Sequence, residues 1–119
     1  MNVMMCRSKI HKARLTRCDL NYEGSLEIDR DLLDKAGIYP YEKILVVNEN
    51  NGERLETYAI PGKRGSKIFC LNGSAARKGY PGDPVTVMSF GVCTPDEAEN
   101  FRPKVIILDK DNNIVREKG

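Results

Sequence analysis

The chain has 119 residues, 40% hydrophobic and 30% charged, with nineteen basic against seventeen acidic side chains and a net charge of +2. That balance excludes a disordered chain and gives room for one ordinary domain over residues 1–119, with a real but thin core. Aliphatic runs such as Ile44-Leu45-Val46-Val47 fall far short of the roughly 18 apolar residues a spanning helix needs, and the amino end lacks a signal-peptide stretch. The expectation is a soluble, cytoplasmic protein without membrane contact.

Five cations (Arg7, Lys9, Lys12, Arg14, Arg17) and His11 precede the first acid, Asp19. Such an opening segment could contact nucleic acid, but a strand with cations lining a small-anion site is the commoner use. Cys6, Cys18, Cys70 and Cys93 include no C-x-x-C pair, and one histidine cannot complete a His-rich metal site. Buried, reduced thiols and no metal are expected.

In chain order, runs of Val, Ile, Leu, Thr and Tyr predict strands near 3–15, 22–28, 43–48, 54–60, 67–71, 84–92 and 104–109, with a short one near 114–116. Asp29 can cap a helix through Lys35 that Gly37 stops, Leu32, Leu33 and Ala36 forming its apolar face. Asn51-Gly52 predicts a type I′ hairpin turn. A short turn is expected over Ala75–Lys78, and a second helix opens at Thr94 with Pro95 at its first position. Six to eight strands with brief helices favour a barrel, which hides strand edges.

Chemistry centres on Tyr22-Glu23-Gly24-Ser25. Glycine before serine lets the Ser25 hydroxyl approach the Gly24 carbonyl, and attack there would exchange the amide for an ester. β-Elimination would then leave dehydroalanine, which hydrolyses to a pyruvoyl group. Period-two alternation puts Lys9 and His11 on one strand face, and Arg54, Glu56 and Tyr58 on another, with Thr57 opposite. Arginine suits a carboxylate, and tyrosine can donate a proton. Asn72-Gly73-Ser74-Ala75 is a small-residue run where backbone can approach a ligand.

With Ser8-Lys9-Ile10-His11-Lys12, Asn51 to Tyr58, Pro61 to Ser66, Leu71 to Arg77 and Pro81-Gly82-Asp83 in order, the chain resembles the pyruvoyl-dependent aspartate 1-decarboxylases from about residue 4 to 109. The resemblance implies a mainly β fold, a six-stranded double-psi β-barrel with short helices, assembled as a homotetramer with sites between subunits. It implies self-cleavage between Gly24 and Ser25 into a β chain (1–24) and an α chain (25–119), assisted by Thr57. The pyruvoyl group from Ser25 would form a Schiff base with L-aspartate, and Tyr58 would return a proton. Lys9, His11, Arg54, Thr57, Asn72, Gly73, Ser74 and Ala75 would bind substrate. The product would be β-alanine for pantothenate biosynthesis, with neither metal nor nucleic acid involved. Ser74 and Thr86 depart from the usual alanine and aliphatic residue, and Thr86 could alter the pocket's polarity.

Overall fold

The alternation read from the sequence becomes nine strands holding about half the residues. A computed structural model describes residues 1–119: β1 (Val3–Arg14), β2 (Arg17–Asp19), β3 (Ser25–Asp29), β4 (Lys43–Asn48), β5 (Arg54–Gly62), β6 (Phe69–Asn72), β7 (Pro84–Cys93), β8 (Lys104–Leu108) and β9 (Ile114–Lys118). Two helices, α1 (Arg30–Ala36) and α2 (Pro95–Glu99), and a 3₁₀ helix over Gly73–Lys78 complete the chain.

The strands form one sheet in the order β2-β6-β3-β5-β4-β7-β1-β8-β9. Pairs β1–β8, β2–β6 and β3–β5 are parallel, and the remaining pairs antiparallel. The sheet is mainly β architecture as expected, but it has nine strands rather than six to eight, and β2 and β9 stand at its ends without pairing to each other.

Eighteen buried apolar residues, among them Ile10, Leu26, Ile28, Val46, Phe69, Val87 and Ile106, form one core cluster on the inner face. Burying a side chain of this size is worth about 1.5–3 kcal/mol. The alternate residues of the same strands, including Lys9, His11, Leu45, Arg54 and Thr86, turn to the outer face because side chains alternate.

Local chemistry explains the breaks. The predicted strand over 22–28 starts only at Ser25, because Asp19 Oδ1 accepts from Asn21 N at 3.0 Å and turns the chain through a loop. The short β2 was not foreseen; Thr16 interrupts the long opening strand, its hydroxyl donating to Phe69 O and accepting from Phe69 N. At Asn51-Gly52 only Gly52 takes positive φ, so the five-residue β4–β5 connection is not the type I′ turn expected. Asn51 instead uses its side chain, accepting from Glu53 N and donating to Lys78 O. Gly37 adopts the left-handed conformation that ends α1, and α2 opens after Thr94 with Pro95 first, both as the sequence predicts; Thr94 and Glu97 also form a complete capping box there.

Asp29 ties the helix to the sheet. Its buried carboxylate accepts from Asp31 N at 2.8 Å, capping α1, and from Gly65 N and Lys67 N in the β5–β6 connection. All four cysteines are free thiols, but only Cys70 is buried; the other three are half-buried, which corrects the expectation for them.

Candidate active site

Ser25 opens β3 directly after an exposed loop, yet it is only 1% exposed. Two features shield it. In the antiparallel β3–β6 pair it stands opposite Asn72, and the 3₁₀ helix that follows Asn72 folds over the loop. Gly73 makes that closure possible. Its φ of 70° is one that L side chains rarely adopt, and a Cβ there would sit 2.7 Å from Gly24 Cα and 2.8 Å from Gly24 N. The two glycine backbones therefore touch, and residue 73 can carry no side chain.

A chain of hydrogen bonds orients the serine. Burial, reinforced by the nearby Glu27 charge, pushes the Cys70 thiol up, so it stays protonated and donates to Asn72 Oδ1 at 3.2 Å. That fixes the Asn72 amide with Nδ2 toward Ser25, where it donates to Oγ at 3.1 Å. The Ser25 hydroxyl in turn donates to Glu23 O at 3.2 Å. The hydroxyl is thus held over the backbone of its own preceding loop.

Beside it lies a cavity of about 290 Å³ lined by Tyr22, Glu23, Ser25, Tyr41, Tyr58, Ile60 and Pro61. Tyr58 reaches it because Leu26 pairs with Ala59, which sets Ser25 and Tyr58 side by side on adjacent strands. Tyr41 was not anticipated. Its backbone is held at φ 70° by donation from Tyr41 N to Ala59 O at 2.7 Å, and its ring lies 6.3 Å from that of Tyr58. A bulky residue at positive φ marks backbone held in place by its surroundings. The apolar Ile38 and acidic Glu42 around Tyr41 gave no pattern from which to read this.

The other expected residues separate into groups. Ser74 is exposed and Ala75 half-buried, both on the turn that covers Ser25. Thr57 pairs with the buried Ile44 and shares its inner face, opposite to Tyr58, so it is not placed in the cavity. Arg54 is exposed on the outer face, four residues along β5 from Tyr58, or about 13 Å at 3.3 Å per residue. Lys9 and His11 lie on the outer face of β1, four strands from β3 along the sheet.

These last three do share one region. Arg54 pairs with Val47, and Val47 with Thr86. His11 Nδ1 lies 3.3 Å from Thr86 Oγ1, and Lys9 pairs with Met88 two residues on. Burial and then the Lys9 charge hold the His11 imidazole below its ordinary value, with Glu49 opposing them. The rest of the basic opening segment is largely committed: Arg7 forms an ion pair with Glu42, and Arg17 with Asp19. No three His, Cys, Asp or Glu side chains converge as a metal ion would require.

Fold and site together define a β-sheet protein with a shielded serine at a glycine-flanked junction and a separate row of cations on the outer face. A sequence profile described as aspartate decarboxylase matches residues 1–115. Proteins named aspartate 1-decarboxylase are similar throughout. That of Salinibacter ruber is 51% identical over 98% of this chain and 80% of its own length, and that of Heliobacterium modesticaldum 53% over 97% and 87%. That of Neisseria meningitidis serogroup C is 54% identical over 92% of this chain and 87% of its own length. The chain belongs to the aspartate decarboxylase family.

Proposed function

We propose that this protein cleaves itself between Gly24 and Ser25 and then decarboxylates L-aspartate to β-alanine, the precursor needed for pantothenate. The observation that carries the reading is the buried Ser25 hydroxyl, held between Asn72 Nδ2 and Glu23 O where Gly24 is clamped by Gly73.

In the first step the Ser25 oxygen bonds to the Gly24 carbonyl carbon, the Gly24–Ser25 C–N bond breaks, and the freed nitrogen takes a proton. Loss of the Ser25 Cα proton then breaks the Cβ–O bond and releases Gly24 as a carboxylate. The remaining dehydroalanine takes up water and loses ammonia. The surroundings suit that product, since the position is shielded from water on one side by the Gly24–Gly73 contact and opens on the other into the tyrosine-lined cavity. A pyruvoyl group at residue 25 supplies a ketone for the substrate amine and an electron sink for the pair left when carbon dioxide departs.

The chain's own residues do the rest. Tyr58, next to Ser25 and stacked near Tyr41, delivers the proton to the former α-carbon. Arg54 and Lys9 hold the substrate carboxylates, with His11 beside them, and Asn72 to Ala75 border the substrate. Thr57 assists cleavage from the inner face of β5.

Within one chain Lys9 and His11 stand on a strand four places along the sheet from that of Ser25, which favours a site shared between copies. A homotetramer with sites between subunits provides this: the cation row of one copy meets the serine cavity of another. The outer face carries an apolar patch that such a contact would bury, with Met4 71% and Val92 63% exposed and Phe90 beside them. The six-stranded double-psi barrel is then the central part of the nine-stranded sheet, with the outlying strands as additions.

The test is incubation with L-aspartate while β-alanine and carbon dioxide are followed, with Ser25→Ala in parallel. Release of both by the wild type alone supports the reading. Equal turnover by Ser25→Ala would refute it.

A further inference from the structure

The outer face holds a polar contact at the cation row that neither cleavage nor proton delivery uses. Pairing between β1 and β7 skips from Ile10–Val87 to Ala13–Val85, so His11 and Lys12 together oppose the single residue Thr86. Lys12 takes φ 63° to make this bulge. A bulge of this kind re-aims a side chain, and here it brings the imidazole against a hydroxyl. Thr86 stands between the core residues Val85 and Val87, so its own side chain faces outward while remaining buried, only 7% exposed. Its Oγ1 lies 3.3 Å from His11 Nδ1 and 3.3 Å from Glu49 Oε1.

A hydroxyl has one proton to give, and an ionised carboxylate can only accept. The Thr86 proton therefore goes to Glu49, and the Thr86 oxygen is left to accept from Nδ1–H. We propose that Thr86 is a positioning residue that fixes neutral His11 as the Nδ1–H tautomer, tied through its hydroxyl to Glu49 and leaving Nε2 as the ring's proton-accepting atom. The charged groups around the ring are Lys9 and Lys12 on β1, Glu49 on the β4–β5 connection and Lys118 on β9. Three are cations that oppose protonation, so the tie to Glu49 is the contact that favours it. The tie rests on the proposed function only for its bearing on turnover; the tautomer belongs to the chain itself.

His11 is the sole histidine, so its ring nitrogens give an unambiguous signal in ¹⁵N-labelled full-length protein. The proposal expects protonated Nδ1 in the neutral wild type. Thr86→Val should convert the ring to Nε2–H and lower its titration midpoint by about half a unit or more, with Thr86→Ser restoring both. Glu49→Gln should lower the midpoint yet keep the tautomer, because the amide oxygen still accepts. Nε2–H in the wild type, or a Thr86→Val protein unchanged in tautomer and midpoint, would overturn it. The KM for L-aspartate separates the two claims. A tautomer change in Thr86→Val with KM unaltered would uphold the tie and remove His11 from the substrate site.

Discussion

The two polar regions of the outer face are built in opposite ways. Around Ser25 the chain supplies everything itself: Cys70 orients Asn72, Asn72 orients the hydroxyl, and two glycine backbones close over it. Around Arg54, Lys9 and His11 the side chains are exposed or half-buried on an open sheet, with only the His11–Thr86–Glu49 contact among them. The difference teaches a division of labour. On the proposed function, a group that attacks its own backbone needs one chain and a fixed geometry. On the same proposal, groups that bind a dicarboxylate can wait for the surface of another copy.

Mixing two defective proteins breaks or sharpens this comparison with the largest expected effect. In the proposed reaction Ser25→Ala lacks the nucleophile and Lys9→Ala a carboxylate partner. Co-assembled from denaturant, they should regain decarboxylation that neither shows alone, because some sites then receive both intact residues. A mixture no more active than the sum of its parts would place Lys9 and Ser25 in one chain's site or separate Lys9 from the reaction. Tyr58→Phe comes next. It should cleave at the normal rate, since Tyr58 makes no hydrogen bond to Ser25, while turnover falls about 10²–10⁴-fold; fragment appearance on denaturing gels and steady-state β-alanine release separate the two.

Gly73→Ala should do the reverse, slowing cleavage about tenfold or more. The left-handed backbone alone costs an alanine about 1–2 kcal/mol, and its Cβ would displace Gly24. Fragment appearance on denaturing gels measures it.

Asp29→Ala tests the scaffold beneath the serine region. Losing the α1 cap and the carboxylate acceptor of the Gly65 and Lys67 N–H groups should cost about 1–3 kcal/mol, read from chemical denaturation.

The smallest effect is acid sensitivity. The Asn48 amide is the main cause holding the Asp83 carboxyl below its ordinary 3.8, so its contribution is present above that value and lost as pH falls through the lower native one. His11 is depressed below 6.5 by burial and Lys9, so the unfolded chain takes its proton first and stability declines below 6.5. His11→Gln should flatten the upper part of that decline in thermal melts across pH.

Much of this was legible before any coordinates. Alternation placed most strands to within a few residues, and the Asp29 and Thr94 caps placed both helices. What escaped was carried by contacts distant in sequence. Tyr41 joins the cavity through a backbone bond to Ala59, and Gly73 is required by Gly24, forty-nine positions earlier. Neither leaves a local pattern. Strand β2 is too short for periodicity to register, and the Asn51-Gly52 turn went astray because side-chain bonds from Asn51 replaced the backbone geometry its dipeptide favours. Alternation correctly set Thr57 opposite to Tyr58, and that same parity keeps it out of the tyrosine cavity.

The most direct measurement is the intact mass of the purified protein under denaturing conditions, with and without borohydride. The account predicts two fragments meeting at Gly24 and Ser25, the larger lighter by one ammonia than a serine-led chain and heavier again after reduction. A single unbroken polypeptide, inert to the reagent yet fully able to decarboxylate aspartate, would contradict it.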